Sequence, residues 1–419
     1  MSEEKLVPKL RFSGFDDEWK SFKLSEISKR ITRKNKSLET DRPLTISAQY
    51  GLVDQIEYFN KIVASKSLKG YYLLNKGEFA YNKSYSNGYP FGAVKRLDDY
   101  ENGAISTLYI CFNTNDKMNS DLLKEYFETD KWHEEIYKIA VEGARNHGLL
   151  NVAVGDFFNT KHVLPTNNHE QEKIAKFLIE INTKIDLLEN KHKAYQDFKK
   201  YLMQKIFAQE LRFADCTGEW NLFKLGDIME LMRNGCSENQ VSFETEFPVT
   251  RIETISKGIL NFDKVGYVEK IDSSYLLQYG DILLSNINSL KYIGNCVFFD
   301  EDKPLYHGMN LMLMRFKDDF NKKYLFYYMK FYQQWFQKMA CQAVNQASIN
   351  QSSLKKFPFY IPPTIDEQNK IVNVIDDTEH KINSIEDQII KMEEFKKGLL
   401  QQMFVVQLIL SLLQNKKHI

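Results

Sequence analysis

The chain has 419 residues, 43% of them apolar, enough to bury cores in two or three domains. Lysine plus arginine equals aspartate plus glutamate at 56 each. A uniformly basic nucleic-acid coat is therefore excluded, and any DNA binding has to use local patches. Five scattered cysteines without a C-x-x-C pair support neither a disulfide framework nor a zinc ribbon, and fit a reducing, cytoplasmic setting.

The first residues are too charged for a signal peptide. Leu10-Arg11-Phe12 precedes an entry element running from Trp19 to Ile27. From Lys20 to Lys36, the cations Lys20, Lys23, Lys29, Arg30, Arg33, Lys34 and Lys36 are opposed by a single acid, Glu26. Such a run is either a phosphate-contacting face or a solvated charged one. Short apolar runs bounded by turn residues, such as Leu108–Phe112, read as strands, and 120–139 reads as one aromatic amphipathic helix. Polar loops able to enter a DNA groove lie at 82–87, with Lys83, Ser84 and Tyr85, and at Arg145, Asn146 and His147. Gln49 and Tyr50 are weaker candidates. A last strand ends at Leu164-Pro165.

A long helix follows. Ile174, Ile181, Leu188, Tyr195 and Leu202 recur every seven residues, and Leu178, Ile185, His192, Lys199 and Ile206 form the companion register. Sustained over about five heptads, this pattern favours a coiled coil. The polar lapses in it are expected to fix register.

Then the chain repeats itself. Leu211-Arg212-Phe213, Glu219-Trp220 and Phe223-Lys224-Leu225 restate earlier residues at an offset of 201. Glu367-Gln368, Lys370-Ile371 and Phe395-Lys396-Lys397 restate Glu170-Gln171, Lys173-Ile174 and Phe198-Lys199-Lys200 at an offset of 197. Between these blocks the two copies share an outline, including a strand at Leu311–Phe316 and a helix over 321–339, but little sequence. The second copy's polar candidates are Arg251, Asn286, Asn288, Lys291, Asn345 and Gln346. Its helix carries Ile371, Ile375, Ile382, Ile385 and Ile389 on the seam, with Thr378 and Lys396 as lapses. The closing apolar run, Met403 to Leu413, is too short to cross a bilayer and reads as a packed or frayed terminal helix.

The expected fold is α+β: two mixed α/β domains separated by a pair of long antiparallel helices, with internal pseudo-two-fold symmetry. The boundaries expected are 1–165 and 211–362 for the domains, 166–210 and 363–419 for the helices and tail. No phosphate-loop, dinucleotide or H-E-x-x-H zinc motif is present.

The repeated order of variable segment, Pro-x-x-x-x-Glu-Gln-x-Lys-Ile helix (Pro165 to Ile174), variable segment and Pro-x-x-x-Glu-Gln-x-Lys-Ile helix (Pro363 to Ile371) resembles the specificity subunits of type I restriction–modification systems. The Phe-Lys-Lys helix ends and the Trp-to-Ile entries match as well. That resemblance implies two target-recognition domains, each reading one half of a split double-stranded DNA target, on helices that act as a ruler. It implies docking of two methyltransferase subunits, which modify an adenine in each half, and restriction or motor subunits that cleave unmodified DNA. On this reading the chain has no catalytic residues and no metal or cofactor of its own; S-adenosylmethionine, ATP and Mg belong to the partners. The rival reading is a duplicated coiled-coil scaffold that binds proteins rather than DNA.

Overall fold

In a computed structural model of the chain, the described residues are 4–61, 67–85, 88–140, 150–256, 258–343 and 346–410. The chain divides into two compact units, one made of 1–189 with 387–419 and the other of 190–386.

The first unit is built on an antiparallel four-stranded sheet in the order Ser28–Ile31, Ile110–Thr114, Phe79–Asn82, Ala93–Arg96. Its buried face is aromatic. Phe79 stacks on Phe112 at 5.1 Å, and Tyr81 stacks on Phe157 at 4.7 Å. A second four-stranded sheet packs a separate core around Leu44, Leu74 and Ile105. Strand Lys20–Lys23 pairs with Lys161–Leu164, so the last strand of the domain returns to its first.

The second unit repeats the principal sheet: Met229–Asn234, Met312–Phe316, Ile282–Leu284, Cys296–Phe298. Asn221–Lys224 pairs with Pro358–Ile361 as the corresponding closing pair. In place of the second large sheet it has two three-stranded ones. The common sheet, with unlike additions, is the physical form of the shared outline and the divergent sequence.

Two long helices, Asn168–Phe207 and Ile365–Met403, carry the repeated motifs. In the first unit Ile174, Leu178, Ile181 and Ile185 share a core with Leu400 and Met403, so the start of one helix meets the end of the other. In the second unit Leu202, Ile206 and Phe207 share a core with Ile371 and Ile375. The helices run antiparallel in each unit.

Two expectations are corrected. Residues 120–139 are not one helix: Ser120–Phe127 is separated from His133–Ile139. The Thr129 hydroxyl donates to the Tyr126 carbonyl at 2.7 Å and the buried Trp132 indole to the Phe127 carbonyl at 3.1 Å. These bonds satisfy carbonyls that a continuing helix would have used. The counterpart breaks likewise into Lys322–Phe331 and Gln333–Met339, which lets Trp335 and Phe336 pack on Phe357 at 4.9 and 4.6 Å.

The second correction concerns the apolar run after Met403. The helix stops there, Phe404 is buried against Tyr126 and Trp19, and Val406–Leu410 forms a strand antiparallel to Glu4–Pro8. The Leu10 amide donates to the Gln402 carbonyl at 3.1 Å. In the second unit Leu211 donates to Lys205 at the same distance, at the positions equivalent by repeat. The backbone around residues 10 and 402 thus meets through a hydrogen bond in the geometry that one continuous segment adopts at 205–211.

Candidate nucleic-acid interface

The basic run of the first unit divides by environment. Lys20, Lys23, Lys29, Arg30 and Lys36 are exposed, Lys29 and Arg30 lying on the outer strand of the principal sheet opposite Asn113 and Phe112. Arg33 bonds the Glu78 carboxylate at 2.7 Å and the Leu73 carbonyl at 3.1 Å. Lys34 donates to the Gly70 carbonyl at 2.9 Å and lies 4.1 Å above the Tyr72 ring. These two cations tie down the 33–34 segment while the other five face solvent.

Of the loop candidates, Tyr85 is exposed, Ser84 is half-buried with its amide on the Asn82 side chain, and Lys83 reaches the Val152 carbonyl at 3.3 Å. Arg145, Asn146, His147 and Asn345 lie outside the described residues, as does the side chain of Gln346. Gln49 and Tyr50 are exposed. Arg251 is exposed beside Glu253, 3.5 Å away, at the start of a short 3-10 turn. Asn286 is 3% exposed and directs its amide at the Ile349 carbonyl, inside the domain rather than at its surface. Asn288 bonds the Ser285 hydroxyl and its own neighbour's amide, which shapes the loop, and Lys291 is exposed over Tyr292.

The repeated motifs do something other than contact a ligand. Glu170, 1% exposed, receives Arg11 Nε and Nη2 at 2.7 and 2.8 Å and the Trp19 indole at 3.3 Å. Glu367, equally buried, receives Arg212 at 2.9 and 2.8 Å and the Trp220 indole at 3.1 Å. These forked charge-assisted bonds are the strong kind, and the bonded carboxylate raises the pKa of each guanidinium above its ordinary value. The neighbouring Gln171 accepts from the Asn119 amide and donates to the Pro165 carbonyl; Gln368 does the same with Asn321 and Pro362. Each Glu-Gln pair therefore fixes the start of a long helix to the domain's entry segment, its domain helix and its closing strand. Among the described residues no group of three His, Cys, Asp or Glu side chains converges to hold a metal ion, and no helix is long and apolar enough to cross a membrane.

Residues 217–394 match the family model for a type I restriction modification DNA specificity domain. The chain is also 39% identical over 195 residues to a protein of Methanocaldococcus jannaschii assigned as the MjaX type I restriction enzyme specificity subunit. That match spans 44% of this chain and 45% of the relative. Residues 217–394 thus carry the DNA specificity domain of that family, and the chain spans about half the length of the curated relative it matches. Its fold agrees: it resembles the S subunit from M. genitalium at 15% identity and a TM-score of 0.56, over 95% of this chain and 99% of that one. It also resembles a chain from a study of assembly and conformational transition of a type I system, at 17% identity and 0.57, over 92% and 97%.

The seam residues of the two long helices face inward. Ile174, Leu178, Ile181, Ile185, Leu188, Ile371, Ile375, Ile382 and Ile385 are buried, and Ile389 is half-buried. Of the polar lapses, Lys199 bonds Glu379 at 2.7 Å and Lys396 lies 3.5 Å from Glu125. Thr378 donates to its own helix at Val374. The Arg–Glu–Trp clasps were missed as a unit by sequence reasoning, although every member stands in a repeated block. The usable signal was that Arg11, Trp19 and Glu170 recur together as Arg212, Trp220 and Glu367.

Proposed function

We propose that this chain is a specificity subunit that reads an interrupted, asymmetric sequence in double-stranded DNA with two target-recognition domains, one per half-site. The long helices act as the ruler between half-sites and present equivalent surfaces to two methyltransferase subunits. Those partners methylate an adenine in each half with S-adenosylmethionine, and motor subunits using ATP and Mg cleave unmodified DNA. The chain itself supplies recognition and no catalysis.

The observation that carries this reading is a framework built twice around two different readers. The Arg–Glu–Trp clasp, the Gln bridge and the principal sheet recur, while the added sheets and the polar loops differ. Two equivalent partners demand a repeated frame, and an asymmetric target demands unlike domains. A helix is a better gauge of half-site spacing than a flexible linker, whose ends fluctuate.

Mapping methylated adenines in a genome carrying this chain and its methyltransferase tests the reading. The expected result is a single split motif with one modified adenine in each half. Replacing residues 20–165 by another member's domain is expected to change one half, and inserting a heptad in both long helices to change the gap or abolish modification. An uninterrupted motif, or a change in both halves after one exchange, overturns it.

A further inference from the structure

The two domain helices, Ser120–Phe127 and Lys322–Phe331, sit in the same register. Asn119 and Asn321 cap them, and the backbone amide of each asparagine donates to Gln171 or Gln368 at 2.8 Å. Counted from these caps, Asp121, Glu125 and Glu128 occupy the places taken in the second unit by Lys323, Tyr327 and Lys330. That spacing puts three residues on one helical face, and the face changes from acidic to basic between units. On the long helices, counted from the Glu-Gln motif, Ile179 and Asn182 correspond to Asp376 and Glu379. The lysine completing each cluster is unchanged: Lys396 in the first unit, Lys199 in the second.

The contacts follow the charges. In the second unit Lys323 pairs with Asp376 at 2.9 Å and Lys199 with Glu379 at 2.7 Å, while Lys330 lies 3.9 Å from Glu379. The Tyr327 phenol donates to Asp376 and, at 2.8 Å, to Glu379. In the first unit the carboxylate is on the other partner. Glu125, 1% exposed, accepts from Asn182 at 2.8 Å and faces Lys396, while Asp121 and Glu128 are held by Arg96 and Lys95 of their own domain at 2.7 and 2.6 Å.

We propose that these faces are position keys, matching each recognition domain to its own place on the long helices and so fixing the order in which the half-sites are read. The statement about half-site order rests on the two-reader reading above; the keying itself is a property of folding. Set in the second place, the first domain helix brings Glu125 against Asp376 and Glu379 with Lys199 as their shared cation, while Asp121 and Glu128 keep Arg96 and Lys95. Set in the first place, Lys323 and Lys330 meet Ile179 and Asn182, which carry no charge. Like charges and unpaired charges at a partly buried junction are disfavoured, so a misplaced domain is rejected electrostatically.

The test is a full-length chain with residues 20–165 and 221–362 exchanged, made with and without recoding of the helices by Ile179→Asp, Asn182→Glu, Asp376→Ile and Glu379→Asn. The recoded chain is expected to melt well above the unrecoded one. Equal melting, or a lower midpoint after recoding, overturns the key. With the methyltransferase present, the recoded chain is expected to modify the split motif with its halves in reversed order. A recoded chain that is the more stable of the two and yet modifies no split motif upholds the key and counts against the two-reader reading. Should neither exchanged chain be soluble, the single pair decides: Lys323→Asp is expected to lower the melting midpoint and added Asp376→Lys to restore it, whereas purely additive losses overturn the key.

Discussion

Removing the Glu170 carboxylate tests the clasp most directly. In Glu170→Ala the 13%-exposed Arg11 side chain loses both forked bonds, and the indole N–H of Trp19, a residue 1% exposed, loses its acceptor. Removing one member of a buried ion pair costs roughly 3–5 kcal/mol. Arg11 keeps its 2.6 Å bond to the Asp17 carbonyl and can turn toward water, so the low end of that range applies to it. The orphaned indole adds about 1–3 kcal/mol, and a total near 4 kcal/mol is expected. For a unit of this size that lowers the melting midpoint by about 8–16 °C. Glu367→Ala is expected to cost a similar or slightly smaller amount, because its bonds have the same geometry and Arg212 is somewhat more exposed than Arg11. Differential scanning calorimetry of both variants reads these values. A loss below about 1 kcal/mol for either, as an exposed ion pair would give, refutes the clasp as the element that fixes helix to domain.

Three further outcomes are expected. His162 is buried between the Tyr126 hydroxyl and the Thr160 hydroxyl, and burial depresses its pKa from 6.5 to about 4. Between those values the unfolded chain takes up a proton that the folded chain refuses, so stability falls as the pH drops, by about 3 kcal/mol at the bottom of the window. His162→Phe, which installs the residue found at the equivalent Phe359, is expected to flatten the stability profile there; an unchanged profile refutes the assignment. Ending the chain at residue 404 removes the partner of strand Glu4–Pro8, and amide exchange of residues 5–9 is expected to approach that of an open strand; retained protection would show that the pairing does not hold that segment. Lys29→Ala with Arg30→Ala is expected to weaken binding to duplex DNA and to reduce the slope of log affinity against log salt by about 1–2. An unchanged slope, measured by fluorescence anisotropy, removes these two residues from the phosphate-binding face.

The fold was legible wherever burial has a local period. Ile174 to Leu188 and Ile371 to Ile385 are inside because seven-residue spacing keeps them on one helical face. The strands ending at Leu164 and Ile361 were readable for the same kind of reason. The break in 120–139 was not, since it depends on Trp132 folding back to the Phe127 carbonyl. Nor was the burial of Asn286, because an asparagine in a polar loop and one bonded to Ile349, 63 residues away, look alike in sequence.

The candidate site divides along the same line. Charge density alone picked out Lys29 and Arg30, and the structure leaves them exposed, but it set Arg33 on Glu78 and Lys34 on Gly70. By itself the sequence determined a tandem repeat, two long amphipathic helices and a local excess of cations, because repetition, periodicity and composition are properties of neighbouring residues. Tertiary structure decided which polar group meets which: Arg11 finds Glu170 across 159 positions, Glu4–Pro8 finds Val406–Leu410, and one domain helix turns an acidic face where the other turns a basic one. A polar side chain needs a specific partner rather than mere removal from water, and which partner it meets depends on the path of the chain.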